Sequence, residues 1–297
     1  MNEWKRRVRW GLLVLAGMTL LAVGSAESHA GACGGLPRQV VDALVNEEID
    51  RAEALVSRWL KKAPKDPLPR VEAAMVKLVK AYHTDDPGRR KRLESEALDQ
   101  AERATQPLGW QPDAEESDGT LDERLARGYA LSLQAVIRYN RHQDRKAYDL
   151  GYRGRQLLQS VLDEDPGRAD AYLPLGLYEY YLGKLPAERR RGARLLDLTG
   201  DADLGIEYLE RAVQEAPVVG PEAARVLLVQ LGLSDEALCR YRTLASQMHR
   251  RYPGNRILGL VARIVPLQCR ILESEGEAVA ADAGPLLPEP CGRLARR

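Results

Sequence analysis

The sequence predicts an all-α fold of about five antiparallel helix pairs, closed by a C-terminal capping helix. Three observations carry that prediction. Apolar residues recur three and four positions apart through most of the chain, as in Val71, Met75, Leu78, Val79 and Tyr82, which is the period of one helix face. Proline and glycine fall mostly between these stretches, at Pro64, Pro67, Pro107, Pro217 and Pro253-Gly254, where they end helices and open turns. Small residues also line single stripes, in Ala97-Ala101-Ala104 and in Ala147-Gly151-Gly154. Glycine inside a helix costs about 1 kcal/mol relative to alanine. Two on one face therefore predict a very close helix crossing.

At 297 residues the chain is long enough to bury a sizeable core. Charged residues make up 29% of it, yet the net charge is only +1. Residues 1–30 hold four bases (Lys5, Arg6, Arg7, Arg9) and two acids (Glu3, Glu27), so the remainder carries about −1. No basic excess is left for a nucleic-acid partner, and none is expected. Phenylalanine is absent, so tyrosine and leucine must fill the large core positions.

The elements follow in order. Residues 1–30 read as a signal peptide: a basic stretch from Lys5 to Arg9, an uncharged apolar run from Trp10 to Val23, then small residues with Ala26 and Ala30 as cleavage points. The run is 14 residues long, short of the ~20 a membrane span needs. This predicts a periplasmic or otherwise exported protein. Two alternatives are an anchor kept at residues 10–23 and lipidation at Cys33, although Ala30-Gly-Ala-Cys33 lacks the usual large apolar residue. From residue 31 to 275 one helical domain is expected. Pro37 opens a helix with Val40, Val41, Leu44 and Val45 on its apolar face, and Glu47 to Lys62 follows with Ala52, Val56 and Trp59. The helix carrying Val71 to Tyr82 pairs with the one carrying Ala97 to Ala104, across the polar loop His83 to Gly88. Pro107 to Thr120, rich in acids, is an expected surface loop. Leu121 to Gln143 and Asp144 to Glu164 form the next pair. After residues 169–217 come Pro221 to Gly232 and Ser234 to Tyr252, the latter read as a single helix. Asn255 to Glu275 reads as the cap, kinked by Pro266, and residues 276–297 as an irregular tail.

Residues 169–217 carry a resemblance. Tyr172, Leu175-Gly176, Gly205, Leu209, Ala212 and Pro217 stand where the tetratricopeptide (TPR) repeat has its aromatic, Leu-Gly, small, large, small and proline positions. The match holds if residues 184–200 are an insertion between the two helices, with Gly183 and Gly200 at its ends. The run Asp170-Ala-Tyr through Leu-Gly-Leu-Tyr to Gly-Asp201 also resembles a group of exported bacterial proteins of this type. The resemblance implies a right-handed solenoid whose first helices line a concave groove for a protein or peptide partner. Carried over position by position, it places Asp170, Leu173, Leu177, Tyr180 and Tyr181 on that wall. Tyrosine suits recognition, but in a chain without phenylalanine Tyr180 and Tyr181 also suit the core. The function implied is a non-enzymatic binding or assembly scaffold of the cell envelope. Rivals are a structural lipoprotein of an outer-membrane or pilus assembly complex, and an envelope enzyme with an unfamiliar site.

Catalytic signatures are missing: the chain has no Gly-x-Ser-x-Gly, phosphate-loop, Gly-x-Gly-x-x-Gly or His-Glu-x-x-His motif. No cofactor or metal is expected. His83 with Asp85 and Asp86 reads as a helix-ending polar loop. The insertion sets Arg189, Arg190, Arg191 and Arg194 beside Leu195, Leu196 and Leu198, which predicts a short amphipathic helix with its arginines outward. Those arginines are expected to pair with the protein's own acids, the alternatives being a carboxylate-rich partner or an anionic membrane surface. Export would expose four cysteines (Cys33, Cys239, Cys269, Cys291) to oxidation. Cys239 and Cys269 lie at matching heights either side of the turn at Pro253-Gly254, so they are the candidate disulfide.

Overall fold

The computed structural model describes residues 35–105, 119–194, 198–275, 282 and 284–288. The signal-peptide stretch, most of the Pro107 to Thr120 loop, Cys33 and Cys291 lie outside the described residues. Every regular element among the described residues is helical. Helices α1 (Leu36–Val45) and α2 (Ile49–Lys62) form the first pair, and α3 (Leu68–Tyr82) and α4 (Pro87–Thr105) the second. The third pair is α5 (Leu121–Asn140) with α6 (Asp144–Glu164). After a short 3-10 turn come α7 (Tyr172–Gly183), α8 (Ala187–Arg194) and α9 (Ala202–Glu215). The chain then runs through α10 (Gly220–Arg225), α11 (Asp235–Leu238), α12 (Arg242–Arg251) and α13 (Arg256–Glu275).

The helix starts are fixed by local chemistry. Thr120 and Glu123 form a reciprocal capping box at α5: the Glu123 amide donates to Thr120 Oγ1 (3.3 Å), and the Thr120 amide donates to Glu123 Oε2 (3.0 Å). Asp86 caps α4, accepting from the Gly88 and Arg89 amides at 2.8 and 3.2 Å. That is the role the His83-Asp85-Asp86 loop plays here, and no group of side chains among the described residues could hold a metal ion. Asp201 caps α9 through the Asp203 and Leu204 amides.

Packing follows the apolar stripes. Val41, Val45, Val71, Met75 and Leu78 meet Leu125, Tyr129 and Leu133, then Leu173, Leu177 and the residues of α10, in one continuous core. The alanines of α4 are fully buried in it, so their small size permits close approach. Two crossings are tighter still. A Cβ on Gly205 would stand 2.5 Å from the Tyr180 amide nitrogen and 2.7 Å from the Gly176 carbonyl oxygen, so α7 and α9 touch backbone to backbone. Gly154 meets the Gly128 carbonyl in the same way between α6 and α5, at 3.0 Å. Gly151, on the same stripe, has only ordinary contacts with Tyr178 and Ala135.

The first helix is held by residues some two hundred positions later. Arg38 donates to the Pro217 carbonyl, and the Tyr252 hydroxyl donates to Asp42 Oδ1 at 2.6 Å. Asn46 Oδ1 accepts the Gly254 amide (2.8 Å), and Asn255 Nδ2 donates to the Val45 carbonyl (2.8 Å). Asn255 Oδ1 meanwhile caps α13 through the Leu258 amide. The first helix is therefore clasped by the segment after α9 and by the turn between α12 and α13.

One expected helix is broken. Ser234 to Tyr252 does not run through: a 3-10 turn at Cys239–Tyr241 separates α11 from α12. The Arg240 carbonyl, which an unbroken helix would use internally, instead accepts the Gly284 amide of the returning tail at 2.8 Å. The Tyr241 hydroxyl is drawn to Glu210 Oε1 at 2.7 Å. The tail has no regular structure at residues 284–288, and Leu287 is buried in the main core. Cys239 and Cys269 form a disulfide, with Cα atoms 5.6 Å apart, that ties this turn to α13. No helix among the described residues is long and apolar enough to cross a membrane.

Candidate binding surface

The residues expected on a concave wall point into the molecule. Leu173 and Leu177 are fully buried, and Tyr180 nearly so. The Tyr180 hydroxyl donates to the Leu231 carbonyl at 2.6 Å, and its ring meets that of Tyr181 edge-on at 5.4 Å. Tyr181 packs against the same core, and its hydroxyl is enclosed with no hydrogen-bond partner. Burial pushes both phenols up, Tyr181 the further. These side chains are packing: α6 and α9 flank α7, and the segment 219–231 meets it through Val219 and Leu231.

Asp170 is the polar member of that wall. Its carboxylate accepts the Val219 amide at 3.3 Å, and its main-chain oxygen accepts the Tyr129 hydroxyl at 2.6 Å. Burial raises its pKa to about 6, against the pull of the Val219 amide and of Arg168. Such an acid burdens the fold fully above about pH 6, and the burden fades as pH falls towards the unfolded value. Asp170 thus fixes the turn before α10 to the start of α7 rather than facing a partner. Glu179, which no sequence signal singles out, does similar work. It accepts Arg155 Nε at 2.8 Å and the Asp201 amide at 3.2 Å, joining α6, α7 and α9.

The insertion is the part that faces outward. It leaves and rejoins the α7–α9 hairpin at one point. A Cβ on Gly200 would lie 2.6 Å from the Gly183 amide nitrogen, and one on Gly183 would lie 2.6 Å from that of Ala202. Between these pins, Leu185, Ala193 and Leu198 are buried against Tyr148 and Leu182, which fixes α8 on the molecule's flank. Leu195 and Leu196 lie outside the described residues.

The expectation that the arginines pair with acids does not hold for the two whose partners are seen. The Arg189 guanidinium donates to the Tyr139 hydroxyl and lies over its ring, 5.0 Å from the centroid. Arg190 donates to the Leu185 carbonyl at 2.9 Å. Arg190, Arg191 and Arg194 are exposed, as are Arg145 and Lys146 at the start of α6, next to the Tyr148 that supports α8. The result is a fixed basic surface on an otherwise balanced chain. Its one acid within α8 is Glu188.

A second concavity, about 300 Å³ in volume, lies between α2, α3 and α4. Its floor is Val56, Leu60, Ala73 and Val76, and Lys77 spans it, bonding Glu96 at 2.9 Å and Glu53 at 3.4 Å. The lysine charge in this cleft is thus met by the protein's own acids. Comparison with models of known protein families, with curated proteins and with solved structures returned no match.

Proposed function

We propose that the chain is a non-enzymatic binding or assembly scaffold of the bacterial cell envelope. On this reading it is a TPR-like right-handed array of helix pairs, exported by its first 30 residues, that meets its partner through α8. One observation carries the proposal. The chain commits a pinned excursion, with its own small apolar cluster, to holding Arg190, Arg191 and Arg194 exposed on a rigid support. A solvated decoration needs no such support. Arginine presents a planar fork of donors that matches carboxylates, so the partner we expect is a protein or peptide segment rich in Asp and Glu.

The test is a crosslinked pull-down from intact envelopes, comparing the native chain with a triple Arg190→Glu, Arg191→Glu, Arg194→Glu variant. The proposal expects a defined protein that crosslinks to α8 and is lost at least about tenfold in the variant, with the melting temperature unchanged. Equal recovery by both chains would contradict it. Recovery of anionic lipid alone would move the surface to the membrane and likewise overturn the protein partner.

A further inference from the structure

Helix α13 has two apolar faces, and the described residues cover only one. Leu258, Val265 and Cys269 are buried against the rest of the molecule. On the opposite side Ile257, Leu260, Ile264, Leu267 and Ile271 are 39–55% exposed. They account for five of the seven large apolar side chains exposed among the described residues. Their spacing is three, four, three, four, the seam of a coiled coil rather than the broader stripe of a helix lying on a core.

The residue types are ordered as well as spaced. In heptad terms the a positions are Ile257, Ile264 and Ile271, and the d positions are Leu260, Leu267 and the small Ser274. β-Branched residues at a with leucine at d favour two parallel strands. The flanking charges select the same arrangement. Every g position is an arginine (Arg256, Arg263, Arg270), while the e positions are Val261, Gln268 and Glu275. An antiparallel pair would set the three arginines against three arginines. A parallel pair sets them against Val261, Gln268 and Glu275 of the second copy, with no like charges opposed and one favourable pair, Arg270 with Glu275, on each side. Pro266 falls at c, so its ring lies off the seam.

We propose that α13 is a homodimerisation element: two copies of this chain pair their α13 helices in parallel and in register. The helix is already folded and tied to its domain by the Cys239–Cys269 disulfide. Association therefore does not have to meet the cost of forming the helix. The seam is short, so the dimer forms in the micromolar range rather than tightly. This interface lies on α13 and is independent of whatever α8 binds.

The experiment is sedimentation velocity on the full chain over about a hundredfold range of concentration, where mass action must show dimer rising at the expense of monomer. Leu260→Glu with Leu267→Glu is expected to abolish the dimer and leave the helical spectrum and melting temperature unchanged, since both side chains are exposed. Direction is read separately, with Leu260→Cys in a chain where Cys33 and Cys291 are replaced by Ser. Oxidation should link identical positions only if the helices run parallel. A monomer at every concentration, a dimer that survives the double glutamate change, or a dimer that Leu260→Cys fails to crosslink would each overturn the proposal. So would a monomer that floats with anionic vesicles through this face.

Discussion

Tyr180 and Tyr181 sit side by side, and their hydroxyls have opposite fates. The Tyr180 hydroxyl reaches the Leu231 carbonyl, while that of Tyr181 is enclosed without a partner. A buried polar group left unpaired costs free energy, and a made hydrogen bond returns about 1 kcal/mol. Tyr180→Phe should therefore destabilise the chain by about 1 kcal/mol, and Tyr181→Phe should leave it unchanged or more stable by a similar amount. Chemical denaturation of the two variants checks this. Equal losses for both would show that the Tyr181 hydroxyl has found a partner the structure does not give it. At this scale the sequence carried the identity of the wall but not its orientation. Leu173, Leu177, Tyr180 and Tyr181 occupy one side of α7 with Asp170 in the turn before it, and a helical period does not say whether that side meets solvent or another helix. What decides is the arrival of Val219 and Leu231, some fifty residues further on, which no local pattern announces.

At the scale of the element, the helix pairs were legible because three signals agree: period, punctuation and small-residue stripes. Val40, Val41, Leu44 and Val45 are buried as their spacing requires, and so are Ala97, Ala101 and Ala104. The absence of a side chain at Gly205 has a direct steric basis. Adding one methyl there would push it to 2.5 Å from the Tyr180 nitrogen, and the neighbour is backbone, which cannot turn aside. Gly205→Ala should cost about 3 kcal/mol, the upper end of the overpacking range, whereas alanine in most exposed helix positions stabilises. A melting temperature within a degree or so of the native chain would mean that α7 and α9 do not cross as closely as described. The break at Cys239–Tyr241 was not legible. It coincides with the Gly284 amide meeting a carbonyl forty-four residues away, and an irregular tail gives no hint of where it docks. The stripe on α13 was legible in outline as an apolar helix. Its meaning depends on which half of that helix the fold leaves exposed, which burial alone reveals.

At the scale of the whole molecule, a clasp ties the first helix to segments far along the chain. Arg38, Asp42, Val45 and Asn46 engage Pro217, Tyr252, Gly254 and Asn255 across some 180 to 210 residues of sequence. These are hydrogen bonds between residues of ordinary composition, so no motif marks them. The two surfaces proposed for recognition, α8 and α13, lie outside this clasp. In a linear stack the terminal helix contacts one neighbour and frays first. In a clasped one it opens only with the core. Native-state hydrogen exchange resolved by mass spectrometry distinguishes the two most directly. The amides of residues 40–46 should exchange as slowly as those of Leu173 to Tyr180, and Asn255→Ala should speed both together. Fast exchange confined to α1, at a rate indifferent to Asn255, would contradict the clasp on which the account rests.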